Sequence, residues 1–291
     1  MKNCSNKAQQ KAFFQETIFS VSKRQPGGTM RFKMINLESI KKSAFGWKSN
    51  KPFPHLIVDN FFELHTAQAL EKEFPKFEDK RWHEYGNPVE IKKACNNWNV
   101  FPKLTYQVFS FLNSTLFVNK MSQLLFGSSI LTSDPGLNGG GWHIHGKGGK
   151  LNTHLDYSLH PKLGLQRKVN IIVYLNSNWQ PSWGGNLGFW DNKSDTHPGK
   201  LKKQIEPLFN RAIIFDTTCN SWHGLPDLLN CPKNEFRKSL AVYYLTKPPK
   251  KVNTRGKALF APTDKQKNDS SVHELIKLRA NTDTAAATYK L

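Results

Sequence analysis

The chain has 291 residues, which suits one large domain with extensions or at most two small domains. Hydrophobic residues make up 38% and aromatics 12%, a globular composition that excludes a disordered chain. The net charge of +20 is unevenly placed: residues 1–51 carry 11 Lys/Arg against 2 acids, residues 247–291 carry 10 against 4, and the middle carries 21 against 16.

Residues 1–30 are polar and end in the turn Gln25-Pro-Gly-Gly28, which reads as a loosely attached arm. Glu16 sits where a secretory signal needs an apolar stretch, so a cytoplasmic setting is expected. Phe53-Pro-His-Leu-Ile-Val-Asp59 reads as a strand leading into a helix over 62–74, where Leu64, Ala67, Leu70 and Phe74 keep helical spacing. A second helix is expected over 104–126, with Leu104, Val108, Leu112, Leu116 and Met121 on its apolar face and Gly127 at its end.

From about residue 130 the period changes. Short β-rich segments are expected at 151–157, 166–176, 185–191, 200–207, 211–217, 221–226 and 237–246. So many short strands argue for a sandwich or barrel, and helices confined to the N-terminal side suit an α+β domain. The longest apolar runs, such as Ala212-Ile-Ile-Phe215, are strand-sized and far from the roughly 18 residues of a membrane span. After Lys247-Pro-Pro-Lys-Lys251 the chain leaves the sheet, with one helix expected near 271–280 behind Ser271 as N-cap. The expected domains are a basic N-terminal extension over 1–50, a central domain over 51–246 with its β core at about 130–246, and a basic C-terminal extension over 247–291. Cys4, Cys95, Cys219 and Cys231 are scattered without a CxxC pair, which argues against a zinc ribbon or a disulfide framework.

The chemistry concentrates in Leu151-Asn-Thr-His-Leu-Asp-Tyr157. In a strand, residues i and i+2 project from the same face, so His154 and Asp156 stand side by side. One imidazole and one carboxylate so placed are two legs of a 2-His-1-carboxylate face, which leaves positions open on Fe(II). Ser221-Trp-His-Gly-Leu-Pro226 supplies His223 directly after the strand Arg211-Ala-Ile-Ile-Phe-Asp-Thr217. Arg237 then opens a strand, and a buried arginine there is suited to holding a carboxylate through a two-pronged hydrogen bond.

In the order His154-Leu-Asp156, His223, Arg237 the chain resembles the Fe(II)/2-oxoglutarate oxygenase superfamily, in its prolyl-hydroxylase-like branch. Trp183-Gly-Gly-Asn-Leu-Gly-Phe-Trp190 and Pro52-Phe-Pro-His-Leu-Ile-Val-Asp59 are similar to family segments, and the resemblance covers about residues 50–246. It implies a double-stranded β-helix (jelly-roll) core with the N-terminal helices packed on one sheet. It implies His154, Asp156 and His223 as catalytic metal ligands, and Arg237 as the anchor of the 2-oxoglutarate C5 carboxylate. Val169-Asn-Ile-Ile-Val-Tyr-Leu-Asn176 is similar to the family strand whose tyrosine also contacts that cosubstrate, which carries the role to Tyr174; Ser239 is implied as an assisting residue. The implied cofactors are Fe(II), with 2-oxoglutarate and O2 as cosubstrates and ascorbate as an optional addition. The gap from His223 to Arg237 is longer than is usual in animal prolyl hydroxylases, and the loop containing Leu228-Leu-Asn-Cys-Pro232 fills it.

Other readings stay beside this one. His143 and His145 in Trp142-His-Ile-His-Gly146 could join His154 in a three-histidine zinc or cupin-type site. Alternatively, the flanking Gly139-Gly-Gly141 and Gly146-Lys-Gly-Gly149 turns shape the mouth of the site and one of these histidines enters the substrate pocket. Lys147 and Lys150 do not make a phosphate loop, since no Gly-Lys-Ser/Thr follows. His160 and His197, each before a proline, are expected on the surface, and Trp183 and Trp190 are core or pocket-lining. The expected activity is hydroxylation of a C–H bond in a prolyl or other amino-acid, peptide or small-molecule substrate, with release of succinate and CO2. The alternatives are a nucleic-acid-modifying oxygenase fed by the basic flanks, which can bind polyanions by counterion release, and a non-catalytic jelly-roll binding module.

Overall fold

The computed structural model describes residues 34–289. The chain enters through Ile35, bridged to Phe62, and helix α1 (Leu37–Ala44), where the Asn36 side chain accepts from the Ser39 N–H and caps the helix. Ile35, Ile40 and Trp47 are buried in the main core, so residues 34–50 belong to the domain and are not an extension. The sequence hides this because those three apolar residues are scattered among lysines. The expected arm over 1–30 lies outside the described residues.

Strand β1 (His55–Val58) and helix α2 (Leu64–Glu73) follow as expected. The hairpin β2 (His83–Asn87) and β3 (Glu90–Cys95) is new relative to the sequence reading. The expected helix over 104–126 is two helices, α3 (Lys103–Leu112) and α4 (Thr115–Phe126). Asn113 folds its side chain back to donate to the Phe109 carbonyl, and Ser114 adopts extended backbone and accepts from the Phe117 N–H. Two residues that favour caps over helix interiors therefore break a continuous apolar pattern. Gly127 ends α4 at φ 71°, the left-handed conformation that favours glycine.

The β core consists of β4 (Thr132–Ser133), β5 (Gly141–His145), β6 (Lys150–Leu151), β7 (His154–Leu155), β8 (Gln166–Tyr174), β9 (Leu187–Ser194), β10 (His197–Ile205), β11 (Ala212–Asp216), β12 (His223–Gly224), β13 (Arg237–Thr246) and β14 (Leu259–Phe260). The larger sheet runs β1-β11-β8-β13-β5-β3-β2, with β4 beside β13 and β6 beside β3. The smaller sheet runs β10-β9-β12-β7-β14, and every pairing in both sheets is antiparallel. This is the curled antiparallel architecture of a jelly-roll core with helices on one sheet.

Alternation along β8 divides the two faces. Val169, Ile171 and Val173 join the helices in the main core, while Ile172 and Tyr174 pack toward Leu187, Phe189 and Ile205 of the smaller sheet. The Tyr244 hydroxyl donates to the Leu112 carbonyl and fixes the end of α3 on the sheet. Glu73 accepts from the Thr105 N–H and hydroxyl, tying α2 to the start of α3.

The chain does not leave the fold at residue 246. β14 pairs with β7, and helix α5 (Ser270–Ala280) buries Val272 and Leu275 with Phe260 and Val89. Arg279 on α5 forms a buried ion pair with Glu90 on β3. The expected C-terminal extension is thus, over its described part, a strap across the domain. Among the described residues no helix is long and apolar enough to cross a membrane.

Candidate metal centre and cosubstrate pocket

β7 and β12 are two-residue strands joined at the register pair His154↔His223, which sets both imidazoles on one side of the smaller sheet. Asp156 follows β7 at once. Its Oδ1 lies 3.9 Å from His154 Nε2 and its Oδ2 lies 3.9 Å from His223 Nε2. One donor atom from each residue fits within 4.8 Å of the others, and all three residues are buried, at 6%, 9% and 3% exposure.

The tautomers are set from behind. His154 Nδ1 donates to the Asn152 carbonyl at 3.0 Å, and His223 Nδ1 donates to the Ser221 carbonyl at 2.8 Å. A carbonyl only accepts, so each Nε2 keeps its lone pair for a cation. Burial, followed by the neighbouring His223, pushes His154 down to about 3 from an ordinary 6.5, and burial lowers His223 too. Burial alone would raise Asp156, but Arg167 and the two imidazoles outweigh it and hold the carboxyl below its usual value. The result is two neutral imidazoles and one carboxylate converging in a dry site. That donor set fits Fe(II), and it departs from the three-histidine alternative, because His143 and His145 lie on the other sheet.

That second wall is built by register. Ser239 on β13 pairs with Tyr174 on β8 and with His143 on β5, while Arg237 pairs with His145. Directly opposed residues share a face, and Arg237, Ser239, His143 and His145 form a polar inner surface opposite the triad, with Tyr174 behind it. Arg237, 4% exposed, donates from Nε to the Gly185 carbonyl at 2.7 Å and from Nη2 to the Tyr174 hydroxyl at 2.9 Å. Gly185 sits at φ 80°, and a Cβ there would lie 3.0 Å from Arg237 Cδ, so the Gly-Gly motif makes room for the guanidinium.

A cavity of about 230 Å³ joins the two walls, lined by His154, Asp156 and His223 on one side and by Arg237, Ser239 and His145 on the other. Tyr174 does not line it; it is fully buried behind Arg237 and reaches the pocket only through that residue. His143 and His145 both line the cavity, and burial pushes His143 down to about 3 and His145 well below its ordinary value. Among the described residues neither ring nitrogen of His145 has a hydrogen-bond partner.

Several neighbours escaped the sequence reading. Phe260 of the C-terminal strap packs its ring 5.1 Å from His154, and Arg255 donates to the Asp156 backbone carbonyl at 2.8 Å. Lys257 and Arg279 also line the cavity. Arg167 lies 3.2 Å from Asp156 Oδ1. A cation at the start of a predicted strand looks like a solvated end, and no local signal placed it here. His160, expected at the surface, is 6% exposed; its Nδ1 accepts from the Lys162 and Leu163 N–H groups and its Nε2 lies 3.5 Å from Asp134. His197 is exposed as expected. Trp183 packs edge-on to Trp179 away from the cavity lining.

The family model described as "2OG-Fe(II) oxygenase superfamily" matches residues 140–245, the stretch that carries both walls. Prolyl 3-hydroxylase OGFOD1 of Mus musculus is 26% identical over 87 residues, covering 28% of this chain and 16% of the relative. The same enzyme of Xenopus laevis is 27% identical over 88 residues, covering 29% and 17%. The chain therefore matches only about a sixth of the length of these curated relatives. Among solved structures, a prolyl-4-hydroxylase of Pseudomonas putida is 15% identical, covers 72% of this chain and 100% of its own, and has a TM-score of 0.48. A Trichoplax adhaerens prolyl hydroxylase, solved with a hypoxia-inducible-factor peptide, is 16% identical, covers 72% and 90%, and has a TM-score of 0.49. The match to the family model falls on the segment that holds His154, Asp156, His223 and Arg237 together, and over residues 140–245 the chain is similar to the 2OG-Fe(II) oxygenase superfamily, with prolyl hydroxylases among the proteins it resembles.

Proposed function

We propose that this protein is an Fe(II)- and 2-oxoglutarate-dependent dioxygenase that hydroxylates a C–H bond of a prolyl or other amino-acid side chain, free or in a peptide, releasing succinate and CO2. The observation that carries the reading is one cavity with His154, Asp156 and His223 converging on one wall and a buried, oriented arginine on the other. With iron bound, the chemistry supplied is O2 activation coupled to oxidative decarboxylation of 2-oxoglutarate.

The chain's own residues supply binding and exclusion of water. His154, Asp156 and His223 hold the metal, and the Asn152 and Ser221 carbonyls keep each Nε2 aimed inward. Arg237 anchors the far carboxylate of 2-oxoglutarate through the N–H groups that Gly185 and Tyr174 leave unused. Tyr174 orients that guanidinium, and the Ser239 hydroxyl on the same face adds a donor. Phe260 and Leu225 close apolar surface around the site, which strengthens the electrostatics inside it. The prolyl assignment rests on the prolyl hydroxylases that this chain resembles.

The test is conversion of 2-oxoglutarate to succinate by purified protein with Fe(II) and O2, run beside mass spectrometry of peptide and amino-acid pools for products one oxygen heavier. Succinate formation that is lost in Asp156→Ala supports the reading. A protein that binds Fe(II) and 2-oxoglutarate yet forms no succinate with any pool is a binding module instead.

A further inference from the structure

Arg167 is 2% exposed, and four groups surround its guanidinium. The Tyr157 ring lies on one face at 3.3 Å and the Tyr243 ring on the other at 3.4 Å. Nη2 donates to the Asn138 carbonyl at 2.6 Å, and Nη1 lies 3.2 Å from Asp156 Oδ1. Burying a guanidinium is costly unless such partners replace water, and flanking aromatic faces both contribute attraction and prevent tilting. The local fold is shaped to admit it. The β8–β13 register shifts between Tyr244 and Leu245, next to the pair Leu245↔Arg167, and such an irregularity re-aims the side chains beside it. Gly139, at φ 77°, lies where a Cβ would come 2.9 Å from Arg167 Nη2. The Tyr157 hydroxyl also donates to the Asn138 carbonyl, at 3.3 Å, so loop and clamp form one unit.

The two Asp156 oxygens are otherwise alike, each 3.9 Å from one imidazole. The guanidinium makes its closest approach at Oδ1, 3.2 Å from Nη1, while Asn170 Nδ2 lies 3.5 Å from Oδ2. We propose that Arg167 is a positioning residue that engages Oδ1 and so presents Asp156 to the metal through Oδ2 alone, keeping coordination positions open for cosubstrates. Tyr157 and Tyr243 act through it by locking the guanidinium plane. A single-oxygen carboxylate leaves one more position on the metal than a chelating one, which a hydroxylase that must admit both 2-oxoglutarate and O2 requires. The inference rests on the triad holding a divalent metal.

The experiment loads the full-length protein with Co(II) and records its visible d–d absorption, which reports coordination number and geometry, alongside circular dichroism and 2-oxoglutarate turnover. Arg167→Met should stay folded and bind Co(II), but with d–d bands changed in position and intensity. Its kcat should fall by about tenfold or more, while KM for 2-oxoglutarate moves far less. Arg167→Lys should recover part of the wild-type spectrum, since a cation returns without the fork. Tyr243→Leu keeps the guanidinium and loosens its clamp, so its spectrum should shift in the same direction by less. A Co(II) spectrum of Arg167→Met that superimposes on the wild type overturns the proposal and leaves the metal site standing. If Arg167→Met fails to fold, an unchanged spectrum in Tyr243→Leu overturns it equally. A wild-type protein that gives no Co(II) spectrum contradicts the metal site itself, and this proposal with it.

Discussion

His154 and His223 are the register pair between β7 and β12, and their rings lie 4.3 Å apart at 49° to one another. With both Nδ1 atoms held by backbone carbonyls, the pair projects two lone pairs into one volume without further rearrangement. Preorganised ligands make metal binding a stabilising event. At free Ni(II) or Co(II) about 100 times its Kd, linkage gives about 2.7 kcal/mol and a corresponding rise in Tm. His154→Ala and His223→Ala should each abolish that rise while keeping the wild-type circular dichroism. A chelator should reverse the rise in the wild type. Undiminished metal stabilisation in either variant would remove that histidine from the ligand set.

The same burial sets a pH dependence in the metal-free protein. His143, His145, His154 and His223 all have folded-state values lowered from 6.5, two of them to about 3. The unfolded chain then binds protons that the folded chain refuses, so stability is intact above about pH 6.5 and is lost as pH falls from there toward 3. Denaturant titrations of the apo protein at pH 7.5 and about pH 5 should show a lower midpoint at the acid pH. Adding a site metal should oppose the loss at mildly acid pH. Equal midpoints would mean that the four rings are not as dry as their packing indicates.

In the proposed function, Arg237 and Tyr174 are expected to make separable contributions to 2-oxoglutarate binding. Arg237→Ala removes a charge-assisted contact of about 2–4 kcal/mol and should raise KM for 2-oxoglutarate roughly 30- to 1000-fold. Arg237→Lys should lose less, because the charge remains and the fork does not. Tyr174→Phe deletes one hydrogen bond to the guanidinium, about 1 kcal/mol, and should raise KM several-fold. A 2-oxoglutarate titration unchanged in Arg237→Ala would move the anchor to another cation of the cavity.

The C-terminal strap alters an expectation drawn from sequence. A chain ending at residue 250 would lose Arg255, which holds the Asp156 carbonyl, and Phe260, which covers His154. It should be less stable and weak in metal binding, whereas an intact chain with Phe260→Ala should fold, with a cost of about 3 kcal/mol, and show weaker metal retention. Wild-type metal affinity in a folded chain ending at 250 would show that the strap is incidental to the site.

Much of this site was legible because its signals are short and local. The His-x-Asp spacing marked two members of the triad that the structure brings together, even though β7 is only His154–Leu155 and Asp156 lies just past it. The Gly-Gly before Asn186 was legible as a motif similar to a family segment, but the room it makes for Arg237 was not. What could not be read depends on tertiary closure. Arg167 reaches Asp156 beside a register shift that no periodicity announces. β14 is two residues long, and the scattered apolar residues Val272 and Leu275 of α5 gave no clear stripe, so the strap looked like a tail. His160 looked like a surface turn residue, yet the Asp134 carboxylate and two backbone N–H groups give it a buried place.

The most direct measurement of the central claim is succinate formed from 2-oxoglutarate by the full chain with Fe(II) and O2, compared with His223→Ala under the same conditions. Succinate that requires both Fe(II) and 2-oxoglutarate is expected from the wild type, and none above background from the variant. Equal succinate from both proteins, or metal-independent succinate from the wild type, would contradict that claim.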